Sequence, residues 1–248
     1  DPKELYDELV NIEWEQYIPF DGYFTVTSTV HNEHITTPLF ANVKVKDAIV
    51  DQFRESTGTR PNISVSNPDI RLNIHVAEDA ATLSLDSSGE SLHRRGYRQE
   101  SVEAPLNEVL AAGMILLSGW TGDTDFIDPM CGSGTILIEA ALIARNINPG
   151  VFRKEFAFEK WPDYDQELFD QIYNDDSQEK DFPHHIYGYD IDMKAVNTAI
   201  LNVKAAGLTN EISVEHQDFL NGTLNSRRIL CLQRSLQTAQ GCRRSAKS

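Results

Sequence analysis

The sequence is poor in cysteine, lacks any long apolar run and is short of positive charge. Its three cysteines, Cys131, Cys231 and Cys242, have neither the spacing of a metal site nor that of a disulfide framework. This scarcity favours a reducing compartment. No apolar run approaches the roughly 20 residues of a membrane-spanning helix, and the opening Asp1-Pro2-Lys3 does not resemble a secretory signal. These absences predict a cytoplasmic globular protein with no membrane segment and no metal.

The shortage of positive charge is uneven along the chain. The protein has 22 Lys and Arg residues against 38 Asp and Glu, a net charge of −16. This balance argues against nucleic-acid binding through an overall positive field, so any RNA contact has to be a local basic patch. Residues 221–248 contain six of the cations and no acid, which leaves 16 against 38, or −22, for residues 1–220.

Residues 221–248 form an atypical basic tail with two interpretations. Hydrophobic periodicity ends near Leu220, and no helix or strand period follows it. The tail is either a basic arm for RNA or a sequence foreign to the preceding domain, and we favour the second. Its six cations are Arg227, Arg228, Arg234, Arg243, Arg244 and Lys247.

A glycine turn between an apolar strand and an apolar helix is the most informative local feature. The turn lacks the third glycine of a dinucleotide fingerprint, and no Lys follows Gly134 as a phosphate loop requires. Glycines there allow a ligand to approach the backbone closely. A cofactor with an adenosine and no phosphates fits, and S-adenosyl-L-methionine is such a cofactor. The residues expected to contact it are Asp128, Pro129, Met130, Cys131, Gly132, Ser133, Gly134 and Thr135.

Each of three successive predicted strands ends in an acid. These acids are Asp128, Asp190 and Asp218, and strands alternate with helices as in a parallel α/β sheet. Open sheets of this kind bind ligands outside the carboxyl ends of their strands. We expect Asp190 to accept from ribose hydroxyls, Asp218 to accept from an adenine amino group and Phe219 to face the adenine ring. Asp192 either contacts the cofactor or caps the following helix.

The first half of the chain predicts a small α+β block. Period-2 alternation indicates strands over 23–30, 70–76 and 81–86, and an amphipathic pattern indicates a helix over 43–55. We expect this block to end near Arg98. In the second half, predicted helices over 103–118, 136–144 and 193–206 alternate with predicted strands at 126–127, 186–190 and 212–216.

Six segments, in a fixed order along the chain, carry a family resemblance. They are residues 43–51, 67–71, 85–98, 128–135, 156–161 and 188–192, within a match that covers roughly 20–220. In these segments the chain resembles the THUMP-domain RNA methyltransferases, and specifically the bacterial-type family that methylates guanine N2 of large-subunit ribosomal RNA.

The resemblance implies an architecture, a cofactor and a partner. It implies an α+β THUMP module over 1–98, N-terminally incomplete, followed by an α/β Rossmann-like class I methyltransferase domain over 99–220, C-terminally incomplete. The implied cofactor is S-adenosyl-L-methionine, and the implied partner is large-subunit ribosomal RNA. Beside this resemblance, residues 93–98 are expected to contact RNA, although they also suit an ordinary charged turn. The expected RNA-binding residues are Lys44, Lys46, His93, Arg94, Arg95, Tyr97 and Arg98.

The sequence departs from this family in lacking an Asn-Pro-Pro-Tyr motif. The only Asn-Pro steps are Asn67-Pro68 and Asn148-Pro149, which both come too early. Such a motif holds the target amine and stacks the target base, so we expect the catalytic loop to be missing and assign no catalytic residue. Two rival functions stay open, namely a non-catalytic RNA-binding protein and an amino-directed DNA methyltransferase. Cys131 suits a packing residue better than a nucleophile.

Overall fold

The computed structural model describes residues 1–218, which form two compact units. The first unit contains Asp1–Ser91 together with Glu155–Asp170, and the second contains Leu92–Lys154 and the described residues from Gln171 onward. Within residues 1–218, no helix combines the length and the apolar character that crossing a membrane would need. Phe219 and the basic tail 221–248 lie outside the described residues.

The first unit is a four-stranded sheet with helices. Its strands follow the order β2-β1-β3-β4, in which β1 is parallel to both β2 and β3, and β4 is antiparallel to β3. Helix α1 packs on α2, and α2 packs on β1. The elements are α1 (Pro2–Val10), a 3₁₀ turn (Trp14–Gln16), β1 (Tyr23–His31), α2 (Pro38–Thr57), β2 (Asn62–Ile63), β3 (Ile70–Ala77) and β4 (Ala80–Leu85).

The core of the first unit is formed by alternate residues of the strands and by one face of helix α2. Ile70, Leu72, Ile74 and Val76 of β3 are buried, while the residues between them are more exposed. Strand β3 therefore turns one side to the core and the other toward water, as period-2 patterning predicts. The large side chains that complete this core are Trp14, Ile18, Phe24, Ile49 and Phe53.

Two parts of the first unit were not expected from the sequence. Helix α1 begins with Pro2 and is capped by Asp1, whose carboxylate accepts from the backbone N–H groups of Lys3 and Glu4. Residues 155–170 pack as an aromatic cluster in this unit, and Trp161 contacts its core. The rings of Phe156, Phe158, Tyr164 and Phe169 contact one another in this cluster.

The second unit is a parallel sheet in the order β5-β6-β7. Because successive strands are added in one direction, right-handed crossovers place α4 and α6 on the same face. This arrangement confirms the predicted α/β class. The elements of this unit are α3 (Glu108–Ser118), β5 (Phe126–Asp128), α4 (Thr135–Arg145), β6 (Ile186–Asp190), α6 (Met193–Ala205) and β7 (Ile212–His216). A 3₁₀ turn (Ala157–Lys160) belongs to the first unit, and α5 (Gln166–Tyr173) begins in the first unit and ends in the second.

The first helix of the second unit starts later than the sequence pattern suggested. Helix α3 begins at Glu108 and not at Glu103. Pro105 disfavours a helical conformation at the residue before it. The Asn107 side chain then accepts from Leu110 N–H at 3.1 Å and caps the helix. This short polar residue therefore sets the start of α3.

The second unit already begins at Leu92, so residues 92–98 pack within it. Gly96 has φ +113°, and a Cβ built there would lie 2.1 Å from the carbonyl oxygen of Phe152. No side chain can occupy that space, because the obstacle is backbone. The glycine is therefore required both by its dihedral angle and by close packing.

Gly96→Ala tests this packing, with Gly119→Ala as a matched control in the same unit. Gly119 also has a positive φ of +77°, but nothing lies within 4 Å of its built Cβ. We expect Gly119→Ala to lower the free energy of unfolding by about 1 kcal/mol. Gly96→Ala should lower it by about 3 kcal/mol or more, since backbone must move. Urea denaturation measures both, and equal losses would show that residues 92–98 are not closely packed.

Candidate functional site

The glycine turn leads from β5 into α4 at the carboxyl edge of the parallel sheet. Gly132 and Gly134 have left-handed φ values of +56° and +82°. Gly134 is also confined by α6, since a built Cβ would lie 3.2 Å from Cβ of Ala199. The sequence-predicted residues of the turn, 128–135, thus form one continuous feature between a strand end and a helix start.

Asp190, at the end of β6, holds the turn from the neighbouring strand. Its Oδ2 accepts from Gly132 N–H at 2.9 Å, and its Oδ1 accepts from Asp192 N–H at 2.9 Å. The backbone adds a second tie, because Cys131 N–H donates to the carbonyl of Tyr189 at 2.8 Å. The structure therefore brings Asp190 and the glycine turn together, as the strand-end argument predicted.

Asp128 is a buried carboxylate with one oxygen left without a partner. It is 3% exposed, and its Oδ1 accepts from Met130 N–H at 3.1 Å. Its Oδ2 is buried and accepts no hydrogen bond from any residue in 1–218. Burial raises the pKa of this carboxyl to about 6, against the lowering effect of the Met130 hydrogen bond, and the charge of Asp190 raises it further. Such an oxygen is a site for a cationic or hydrogen-bond-donating group.

Cys131 is surrounded by groups that keep its thiol protonated. Burial raises the pKa of the thiol, and the carboxylates of Asp128 and Asp190 raise it further. A nucleophilic cysteine needs a lowered pKa. Its Sγ lies 3.2 Å from a Cβ built on Gly188 of β6, so the side chain fills space between the turn and the sheet.

The other predicted cofactor residues have different surroundings. Asp192 is exposed and caps α6, since its carboxylate accepts from Lys194 N–H at 2.9 Å. Asp218 is half-buried just after β7. The preceding Gln217 N–H donates to the carbonyl of Asp190 at 3.0 Å, which ties the ends of β6 and β7 together. Phe219 falls outside the described residues.

Two exposed apolar side chains next to Asp190, those of Ile191 and Met193, were missed by sequence reasoning, whereas Met130 was among the expected cofactor residues. Ile191 follows Asp190 and is 67% exposed, and Met193 is 51% exposed. Met130, in the turn itself, is 44% exposed. An isoleucine directly after a strand-end acid was the available signal, since apolar residues at that edge have no core to join. A flat apolar ligand group can pack on such side chains.

The predicted RNA-binding residues on α2 are half-buried. The Lys44 ammonium lies 5.7 Å from the ring centroid of Tyr6 and 5.6 Å from that of Phe40. Tyr6 in turn donates to Asp51, and this hydrogen bond, with burial and the Asp51 charge, raises the pKa of the phenol to about 12. Lys46 lies on the same helix, two residues further on.

Three of the five predicted RNA contacts in 93–98 are instead used inside the second unit. Tyr97 is 2% exposed and donates to Glu139 at 3.0 Å, so its ring is in the core and does not face solvent for base stacking. Arg95 pairs with the same Glu139 at 3.3 Å, and Arg98 pairs with the buried Glu108 at 2.8 Å. Burial raises the pKa of Tyr97 and of Glu139. The basic sequence pattern could not distinguish these internal partners from RNA phosphates.

The described residues offer no metal site. Within 1–218, no group of three or more His, Cys, Asp or Glu side chains is arranged to hold a metal ion. His184 lies 3.9 Å from Asp125, and His185 shares a hydrogen bond with Ser213 at 2.7 Å.

Comparison with known families identifies both parts of the chain. Residues 1–86 match the THUMP domain, and residues 95–231, more than half of the chain, match the RMKL-like methyltransferase domain. The chain belongs to the RMKL-like methyltransferase family. The predicted family of THUMP-domain methyltransferases and the predicted fold class are thus confirmed. The two matches reach residue 1 and residue 231, beyond the expected 20–220, so residues 221–231 of the tail match the methyltransferase domain and are not foreign to it.

Curated relatives of this methyltransferase family are considerably longer. The ribosomal RNA large subunit methyltransferase K/L of Syntrophotalea carbinolica is 42% identical over 224 residues, and that of Methylococcus capsulatus is 41% identical over 225 residues. Each alignment covers 87% of this chain but only 31% and 30% of the two relatives. The chain therefore spans less than a third of their length.

The chains of solved structures with the same fold are also longer than this chain. A Listeria monocytogenes protein, described as an N6-adenine-specific DNA methylase by prediction, superposes with a TM-score of 0.83 at 31% identity. The methyltransferase SMU.472, solved in complex with SAH, gives a TM-score of 0.82 at 32% identity. Each match covers 93% of this chain and 61% or 62% of the other.

Asp128→Asn is expected to stabilise the free protein at neutral pH. Because the folded-state pKa of about 6 exceeds the ordinary value of 3.8, the folded state binds the proton more tightly. Stability is therefore lost as the pH rises from about 4 to 6, by about 3 kcal/mol in total. Asparagine keeps the acceptor for Met130 and removes the buried charge.

Urea denaturation at pH 7.5 and pH 4.5 measures this effect. We expect Asp128→Asn to unfold at higher urea than the parent protein at pH 7.5, with the difference shrinking at pH 4.5. The exposed Asp181→Asn is the control and should leave the urea unfolding midpoint unchanged at both pH values. A destabilised Asp128→Asn variant at pH 7.5 would show that the carboxylate is not energetically isolated.

Proposed function

We propose that this chain binds S-adenosyl-L-methionine at the carboxyl edge of the β5-β6-β7 sheet. The observation that carries the proposal is the buried Oδ2 of Asp128 beside the glycine turn, which accepts no hydrogen bond from residues 1–218. An ammonium or another hydrogen-bond donor of the ligand would satisfy this oxygen and offset the cost of burying its charge. The SAH complex of the similar methyltransferase SMU.472 supports the same ligand class.

The remaining side chains at this edge fit the rest of that cofactor. Asp190 uses one acceptor position on each oxygen for Gly132 and Asp192, and a carboxylate has about four such positions. It therefore retains capacity for the two ribose hydroxyls. Ile191 and Met193 offer apolar surface to an adenine ring. No Lys or Arg lies in the turn 128–135, which suits a ligand without phosphates.

For the substrate, we propose an exocyclic amine of large-subunit ribosomal RNA, namely guanine N2. The support is the match to a THUMP domain over 1–86 and the names of the K/L relatives. With this substrate we also propose a cytoplasmic location. Arg94, which is exposed, together with His93, Lys44 and Lys46, remains a proposed RNA contact.

The chain's own residues would hold the cofactor and would not complete the transfer. When bound, S-adenosyl-L-methionine supplies an electrophilic methyl group. Asp128 and Asp190 orient that ligand from two strand ends, and the turn keeps its backbone close to it. The 248 residues contain no Asn-Pro-Pro sequence to position a target amine. We therefore propose that these residues bind the cofactor without turnover on their own.

Calorimetric titration of S-adenosyl-L-methionine into the 248-residue protein tests the binding proposal. We expect saturable binding that Asp190→Ala abolishes, because the change removes both the ribose acceptor and the tie to Gly132. Asp181→Ala, on the exposed surface of the same unit, should bind as the parent protein does. A folded parent protein that takes up no cofactor would refute the proposal.

The pH dependence of binding gives an independent test. If Asp128 must be ionised to accept from the cofactor, affinity falls as the pH drops below about 6, by about tenfold for each pH unit. The Asp128→Asn variant should bind more weakly and lose this dependence between pH 5 and 7.5. If the affinity of Asp128→Asn changed with pH as that of the parent protein does, another group would be responsible for the dependence.

A second candidate, an amino-directed DNA methyltransferase, is favoured by one comparison, the Listeria monocytogenes structure described as a DNA methylase. Competition binding between protein-free large-subunit rRNA and duplex DNA separates the two substrates, and a preference for duplex DNA would refute the RNA substrate. Transfer assays with labelled cofactor on both nucleic acids test turnover. We expect no transfer to either, and transfer to rRNA would refute the absence of turnover. RNA binding by a parent protein that takes up no cofactor would indicate a non-catalytic RNA-binding protein.

A further inference from the structure

Arg98 makes hydrogen bonds to two separate segments of the second unit, residues 106–108 and the glycine turn. Its Nη2 and Nε donate to Oε1 of Glu108 at 2.8 and 3.0 Å, at the start of α3. Its Nη2 also donates to the carbonyl of Leu106 at 3.1 Å and to Oγ1 of Thr135 at 3.0 Å, and its Nη1 donates to Oγ of Ser133 at 3.0 Å. One guanidinium therefore connects residues 106–108, at the start of α3, with the glycine turn.

The glycine turn is held at Ser133 by a second residue as well. Asn202 of α6 donates from Nδ2 to the carbonyl of Ser133 at 3.0 Å and to that of Glu100 at 3.0 Å. Its Oδ1 accepts from the N–H groups of Gln99 and Glu100 at 2.8 and 3.2 Å. Arg98 and Asn202 thus hold both the side chain and the backbone of Ser133.

The restrained residue lies between the two left-handed glycines. Gly132 and Gly134 flank Ser133, and glycine has access to more backbone conformations than any other residue. Ser133 and Thr135 are buried and accept from Arg98 through hydroxyl groups, without any acid in the turn taking part. Removing the guanidinium would leave these hydroxyls with only the hydrogen bond of 3.5 Å between them, and the two glycines would be freer to change conformation.

We propose that Arg98 is a positioning residue for the cofactor site, which it serves by fixing the glycine turn before the ligand arrives. This inference rests on the proposed function of that turn. In this role Arg98 acts through its hydrogen bonds to Ser133 and Thr135. Its planar fork reaches four acceptor residues in two segments at once, and a single ammonium group cannot reproduce that geometry. If the turn adopts its binding conformation only part of the time, the apparent affinity for the ligand is reduced in proportion to that fraction.

The chain offers a closely matched control three residues away. Arg95 also belongs to the segment 92–98 and also pairs with a buried glutamate, Glu139 of α4. Its Nη1 donates to the carbonyl of Leu92 at 3.1 Å, and none of its hydrogen bonds reaches the turn 130–134. Arg95→Lys therefore weakens a comparable internal ion pair without releasing Ser133.

The experiment compares Arg98→Lys with Arg95→Lys in the 248-residue protein. Hydrogen exchange of the peptide covering 130–136 reports the turn, calorimetry reports cofactor affinity, and urea denaturation reports stability. We expect Arg98→Lys to speed exchange in that peptide and to raise the cofactor Kd about tenfold. Arg95→Lys should lose comparable stability while leaving both the turn and the Kd unchanged.

Two results would overturn the assignment. Equal effects of the two variants on exchange and affinity would reduce Arg98 to a general structural role, and an unchanged turn in Arg98→Lys would remove the role altogether. Absence of cofactor binding by the parent protein would refute the proposed function instead. In that case the exchange comparison still decides whether Arg98 fixes the turn.

Discussion

The conformation of the glycine turn between β5 and α4 is the constraint on which the site depends. Two left-handed glycines give the turn access to the ligand but little conformational preference of its own. Its shape comes from residues remote in sequence, namely Asp190, Asn202 and Arg98, which lie 58, 69 and 35 positions from their partners in the turn. The sheet, α6 and the segment 92–98 must therefore all be assembled before the turn has one conformation.

The buried carboxylate of Asp128 lowers the stability of the folded protein. An ionised oxygen without a partner is unfavourable in a core, and the raised pKa expresses this cost. The apolar contacts of α4 and β5 offset it, among them Phe126, Leu137 and Ile138, all with 0% exposure. Local destabilisation inside a well-packed unit is common where a ligand is to supply the missing partner.

Two arginines of the segment 92–98 are committed to internal contacts in the second unit. Arg95 and Arg98 neutralise two buried glutamates, Glu139 and Glu108, and such pairs are hard to break because each would leave a buried charge alone. An RNA surface on this acidic protein would thus depend on other groups. This is why a basic motif read along the chain overstated the nucleic-acid contact at 95, 97 and 98.

The sequence by itself determined the strands and helices of the parallel sheet, the acids at their ends and the family. Period-2 and helical patterns are local, and the acids Asp128 and Asp190 follow strands whose parallel order brings their ends to one edge. Sequence reasoning missed α1 and the packing of 155–170. Only the tertiary structure decided the partners of polar side chains: Asp192 caps a helix, Asp128 is left without a partner on Oδ2, and Arg98 binds the glycine turn. The physical reason is that a long or charged side chain takes the partner that folding brings within about 3 Å, and no local pattern encodes which distant segment that will be.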